Sequence, residues 1–209
     1  MSGARPGLSP PSGSGPPESE RAALADAVAN PLHGAGEAPV NAAPIVVWSF
    51  PPVWGMPSAS PFCTKLETWL RMAGLAYEVK AITGPPRSAS GKLPYIERAD
   101  GSVLADSQVI LETLAAEHGV LFDAHLVGAA RYTSVLVRRL LEDHLYWHIL
   151  HERWCEDASW PIVSRDYFAY LPAPVRWVVP TFARRTARAN AAAQGISKYS
   201  AAARQRMLE

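Results

Sequence analysis

Ser60-Pro61-Phe62-Cys63-Thr64-Lys65-Leu66-Glu67-Thr68-Trp69-Leu70-Arg71-Met72-Ala73-Gly74 is the stretch on which the fold turns. Phe62, Leu66, Trp69, Leu70 and Ala73 fall on one face at helical spacing, so an amphipathic helix is expected here. Ser60 is a good N-cap and Pro61 suits the first helical position. Gly74 is placed to end the helix, and Glu67 and Arg71 are expected to pair across one turn on its surface. Just before lies Ile45-Val46-Val47-Trp48-Ser49-Phe50, a nearly continuous apolar run that reads as a strand buried on both faces. Strand, loop and helix start therefore follow one another. A helix N-terminus offers unpaired N–H groups and the positive end of its dipole, which stabilise a thiolate or an anion held against a hydroxyl. Two readings of Ser60 and Cys63 stand side by side. In one they are a chemical site. In the other Ser60 only caps a helix and Cys63 is a small buried residue.

Downstream, Tyr77 to Ile82 reads as a second strand, and Gly84 to Lys92 as a loop. Leu93 to Ile96 is a strand entered through Pro94. Asp100-Gly101 signals a hairpin into Val103 and Leu104. Asp106 and Ser107 are candidate caps of a helix that runs to about His118 and stops at Gly119. The order is βαβ followed by ββα, a small mixed sheet with helices on it. From about Gly128 the pattern is helical only. Leu136, Leu140, His144, Trp147, His151 and Trp154 recur every three to four residues. Further helices are expected over Arg165 to Tyr170 and over Val175 to Ala193, the latter with a kink at Pro180.

This layout resembles that of the cytosolic glutathione transferases. Ser60 to Leu75, Gly91-Lys92-Leu93-Pro94-Tyr95-Ile96-Glu97 and Ala105-Asp106-Ser107 are similar to the failed-axon-connections and metaxin branch of that superfamily, as are Leu141 to Trp154 and Gln194 to Ser200. The resemblance spans roughly residues 45–200 and implies roles. Leu93 and Pro94 match the segment with a cis proline, whose preceding residue offers its backbone to the cysteinyl part of glutathione. Asp106 and Ser107 match the acidic–Ser pair that holds the γ-glutamyl end, a carboxylate for the ammonium and a hydroxyl for the carboxylate. Plain helix capping is the other reading of that pair. Ser60 stands where glutaredoxins and omega-type transferases carry a nucleophilic cysteine. A hydroxyl cannot form a mixed disulfide, which demotes disulfide reduction, but it can donate a hydrogen bond to the glutathione thiolate. Cys63 matches the second, resolving cysteine.

Bulk properties bound the rest. The 209 residues are 48% hydrophobic with a net charge of +1, so no overall charge favours nucleic acid. Residues 167–209 carry seven basic groups against one acidic, and Arg184, Arg185 and Arg188 are expected to form a positive face, either solvated or weakly anion-binding. No run is long enough to span a membrane, and no secretory signal is visible. Cys63 and Cys155 form no disulfide framework, which suits a reducing, cytoplasmic setting. His144, His148 and His151 share a helical face, but no metalloprotease glutamate lies within Leu145 to Trp147, and no metal is expected. Tyr146, Trp147, Trp154 and Trp160 line either an apolar pocket or simply the core.

The fold class expected is an α/β thioredoxin-like N-terminal domain over residues 44–119, preceded by a disordered tail at 1–43. An all-α domain of the transferase C-terminal type follows at 128–209, truncated relative to the family. The function expected is transfer of glutathione, as co-substrate, to an apolar small molecule, with a homodimer left open. The alternative is a non-catalytic adaptor on the same fold, as metaxins are.

Overall fold

The computed structural model describes residues 43–209; the tail expected at 1–43 lies, but for its last residue, outside the described residues. The chain enters β1 (Ile45–Ser49), crosses over through α1 (Pro61–Met72) and returns as β2 (Tyr77–Ala81). β3 (Tyr95–Glu97) and β4 (Val103–Ala105) follow, then α2 (Ser107–His118). The sheet order is β2-β1-β3-β4, with β1 parallel to β2 and antiparallel to β3, and β3 antiparallel to β4. This is a thioredoxin-like mixed sheet. It arises because the β1–β2 connection is long enough for a helix, whereas β3–β4 is closed by a tight turn. In that turn Gly101, at φ 80, donates to Arg98 O, and Asp100 Oδ1 accepts from the Ser102 amide.

The helical face of the sheet is the core. Val47 and Ile96 from the strands meet Leu66 and Leu70 of α1 and Ile110 and Leu114 of α2. Leu66, Leu70 and Ile110 are fully buried. β1 is less enclosed than its composition suggests. Val47 and Ser49 are buried, while Val46 and Trp48 on the opposite face are only half-buried. There Trp48 stacks on Tyr95 and donates its indole N–H to Glu97. Gly119 closes α2 in the left-handed conformation, φ 66, as expected for a C-cap glycine. The strand expected from Leu93 begins two residues later, since Leu93 and Pro94 belong to the loop that approaches it.

The Glu67–Arg71 pair is not a surface pair. Arg71 is exposed, but Glu67 is 3% exposed beneath β1, with Oε1 unpaired and Arg71 3.6 Å from Oε2. Burial raises its carboxyl above the ordinary 4.5, against the opposing effects of Arg71 and the Ser49 hydroxyl. A carboxyl raised in the native state binds more protons there than in the unfolded chain, so stability falls as pH rises from the unfolded value of 4.5 through the raised native one. Glu67→Gln is therefore expected to be more stable than wild type at pH 7. The difference should vanish below about pH 4.5, where native and unfolded chains are both protonated. Urea unfolding of the two proteins at pH 4 and pH 7 checks this; a less stable variant at pH 7 would contradict it.

Beyond the sheet come α3 (Gly128–Arg139), a π-helical segment (Leu140–Leu145), α4 (Tyr146–Trp154), α5 (Trp160–Tyr167), α6 (Val175–Gln194), a 3-10 turn (Ile196–Lys198) and α7 (Ala201–Arg206). α5 starts and ends earlier than the expected Arg165 to Tyr170, because Pro161 fits a first turn and Phe168 leaves helical geometry. α6 runs through Pro180 to Gly195 at φ 108. Leu150, Ala191 and Ile196 form the core here, with Tyr146, Trp147 and Trp154 packed against it. α3 buries no residue, and Leu136 and Leu140 remain 69% and 57% exposed. The expected arginine face is largely tied up. Arg184 and Arg188 both bond Asp157 and the carbonyls that end α4, leaving Arg185 outside this cluster. Among the described residues no helix is long and apolar enough to cross a membrane.

Candidate functional site

The register of the sheet determines what meets what. Trp48 of β1 lies opposite Tyr95 of β3, and Tyr95 lies opposite Ala105 of β4. The C-terminal end of β1, the N-terminal end of β3 and the C-terminal end of β4 are thus one edge of the sheet. From that edge emerge the loop to Ser60, the Leu93–Pro94 step and the Asp106–Ser107 step. Three segments distant in sequence converge there because β3 runs against both its neighbours.

Ser60 is half-buried and is the N-cap of α1, with φ −94 and ψ 127. Its Oγ accepts from the Cys63 amide at 3.4 Å, and its own amide donates to Ser58 Oγ at 3.2 Å. A hydroxyl that accepts one bond still has its proton to donate, so capping and thiolate binding are compatible. Cys63 is fully buried among Ile82, Leu93 and Tyr95, so its thiol is closed off from solvent. The Leu93–Pro94 peptide is cis, in keeping with the resemblance, and both residues are buried. Asp106 is exposed at φ 76, a left-handed conformation unusual for a residue other than glycine. Its Oδ1 accepts from the amides of Gln108 and Val109 and so caps α2, while Ser107 beside it is buried.

Side chains from the neighbouring helices surround this edge. Lys65 joins Gln108 of α2 to Glu142 of the π-helical segment. Phe62 packs on Tyr146, their rings 5.0 Å apart, which fills the junction above α1. Open space lies on the other side of Ser60. A small open cavity of about 90 Å³ lies beside Ala59, between Pro51, Pro52 and Val53 of the loop and Tyr167 and Tyr170 of the helical half. Asp166 is its charged wall. Arg165, then the Trp54 indole N–H, hold that carboxyl down at about 2. Burial pushes the Tyr167 phenol up, so it stays protonated at neutral pH. Of the expected pocket aromatics, Trp154 packs edge-on against Tyr167 and Phe168 and belongs to the core behind this cavity. No sequence signal marked Arg153, Asp166 or Tyr167, because helical periodicity does not say which loop a helix meets.

The histidines sit away from this edge. The π-helical segment brings the His144 and His148 rings to 4.9 Å, and burial lowers the pKa of His148 and of His151. His151, Glu152 and Glu156 place ligand-type atoms within 4.8 Å of one another, but Arg204 already bonds Glu156 at 2.7 Å. That guanidinium supplies the positive charge there.

Comparisons with known proteins bear on the family. Residues 61–159 match the family model described as "Glutathione S-transferase N-terminal domain". Isoprene-epoxide–glutathione S-transferase of Rhodococcus sp. (strain AD45) is 38% identical over 120 residues, 56% of this chain and 50% of that protein. Failed axon connections of Drosophila melanogaster is 40% identical over 98 residues, 47% of this chain and 23% of that protein. Metaxin-1 of Sus scrofa is 28% identical over 142 residues, 66% of this chain and 44% of that protein. The chain spans half or less of the length of these relatives, and no solved structure matches it. Residues 61–159 thus form a domain of the glutathione S-transferase N-terminal type, and the chain is similar both to a transferase and to failed axon connections and the metaxins.

Proposed function

We propose that the chain binds glutathione at the shared edge of β1, β3 and β4 and presents its thiolate, held by Ser60, to a small apolar electrophile. The observation that carries this reading is the convergence of Ser60, Leu93–Pro94 and Asp106–Ser107 on one sheet edge. Leu93 would meet the cysteinyl backbone of glutathione. The Asp106 carboxylate would take the γ-glutamyl ammonium, and Ser107 with the α2 amides its carboxylate. The Ser60 hydroxyl would donate to the sulfur, which lowers the thiol pKa and makes the nucleophile available at neutral pH. The thiol proton leaves to solvent. With an epoxide, the class named in the Rhodococcus relative, the new S–C bond forms as a ring C–O bond breaks and the alkoxide takes a proton. The small open cavity beside Ala59, walled by prolines, tyrosines and Asp166, would give such a partner a side to approach from rather than a pocket that encloses it. A reducing compartment such as the cytoplasm fits a thiol co-substrate and two free cysteines.

A second reading is favoured by a different observation. Leu136, Trp177 and Phe182 are each at least 65% exposed, and α3 buries nothing. Such apolar surface serves protein contact, as in an adaptor. Immobilised glutathione separates the two. Wild type is expected to be retained and to elute with free glutathione. Asp106→Asn keeps an acceptor for the α2 cap but removes the charge, so its affinity should fall roughly ten- to a hundredfold with little change in Tm. A wild type that is neither retained nor active in conjugation would hand the chain to the adaptor reading.

A further inference from the structure

We propose that Arg153 is a positioning residue for Ser60: from the helical half it fixes the peptide before Ser60 and supplies the positive charge beside the glutathione sulfur. The inference rests on the glutathione reading above, and its test separates the two. Arg153 Nη1 donates to the carbonyl of Ala59 at 3.3 Å. The N–H of the same peptide, on Ser60, donates to Ser58 Oγ at 3.2 Å. That plane is pinned on both sides, and it sets the direction in which the Ser60 side chain leaves the backbone. Ser58 is itself fully buried, so the anchor on that side is rigid.

The same guanidinium holds the far end of the loop. Val53 and Met56 exchange backbone hydrogen bonds of 3.1 and 2.9 Å around a two-residue turn, with Trp54 at φ 52 and Gly55 at φ 74. Glycine adopts that conformation freely. For tryptophan it is strained, and it persists only where surroundings impose it. The surroundings here are the helical half. The Trp54 indole N–H donates to Asp166 Oδ2 at 2.6 Å, and its ring lies 5.0 Å from that of Tyr167. The Arg153 guanidinium sits 5.6 Å from the Trp54 ring centroid and 6.0 Å from that of Tyr167. One side chain of α4 therefore touches both the strained tip of the loop and the residue before Ser60. Its charge lies next to the position proposed for the thiolate, where a cation favours the ionised form. Lys65, the other cation near the α1 N-terminus, is paired to Glu142.

The test compares wild type, Arg153→Met, Arg153→Lys and Trp54→Gly as full-length chains. Hydrogen exchange reads the positioning without any ligand. The amides of Ser60, Cys63 and Thr64 should exchange about tenfold faster in Arg153→Met and in Trp54→Gly, and close to wild type in Arg153→Lys. Conjugation of glutathione to 1-chloro-2,4-dinitrobenzene reads the charge. Arg153→Met should move the acid limb of the kcat profile up by about one pH unit, with KM for glutathione little changed, and Arg153→Lys should restore it. Unchanged exchange in both Arg153→Met and Trp54→Gly overturns the proposal, whatever the activity. Faster exchange with an unmoved pH profile in an active wild type also overturns it, leaving Arg153 a mere packing residue. Faster exchange in a chain that shows no glutathione turnover in any form upholds the clamp and removes the transferase reading instead.

Discussion

Ser60→Ala is expected to lower kcat for glutathione conjugation roughly ten- to a hundredfold while glutathione affinity stays within a few-fold of wild type. The lost interaction is a hydrogen bond to a charged sulfur, worth on the order of 1.5–3 kcal/mol in the step that needs the thiolate. Affinity survives because the other contacts proposed for the tripeptide come from Leu93, Asp106 and Ser107. The substitution also removes the cap on α1, where Ser60 Oγ accepts from the Cys63 amide, so about 1 kcal/mol of stability should go with it. Ser60→Gly separates the two effects. Glycine caps nearly as well as serine but has no hydroxyl, so it should lose the same rate at a cost of only a few tenths of a kcal/mol. Cys63→Ala is the control. Its thiol is fully buried, so turnover should stay near wild type. Initial rates across glutathione concentrations check all three. If Cys63→Ala abolishes turnover and Ser60→Gly spares it, the sulfur chemistry belongs to Cys63.

The largest effect on stability should come from Leu66→Ala. Leu66 is fully buried on α1, packed in the cluster that joins Val47 and Ile96 of the sheet to Leu70 and to Ile110 of α2. The substitution removes apolar contacts and leaves a cavity that strands and helices cannot both move to fill. The expected cost is about 3 kcal/mol. For a chain of this size that corresponds to a fall in Tm of roughly 6–12 °C. Thermal unfolding followed by circular dichroism measures it. The same truncation at Leu136, which is 69% exposed, should change Tm by no more than about 1–2 °C. Equal effects at the two positions would mean that the α3 face is covered in solution. The contrast therefore tests the core and the open surface in one experiment.

The sequence alone determined the sheet half of this protein. Apolar runs of strand length, a helical stripe from Phe62 to Ala73 and glycines at Gly74, Gly101 and Gly119 are local signals. Each acts within a few residues, where backbone sterics and hydrogen bonding dominate. Asp106 was legible locally only as a helix cap; any further role of Leu93–Pro94 and Asp106–Ser107 came from the family resemblance. Charge and burial were not legible. Glu67 and Arg71 have the spacing of a surface pair, yet α1 turns Glu67 under β1, because Leu66 and Leu70 fix the rotation of the helix. Arg184 and Arg188 look like a free basic face, yet they close on Asp157 and the end of α4. The clamp of Arg153, Trp54, Asp166 and Tyr167 on the loop before Ser60 joins residues as distant as Trp54 and Asp166, 112 positions apart. Contacts of that range depend on how two layers dock, and docking is a sum over many weak, non-directional contacts that no short window of sequence contains.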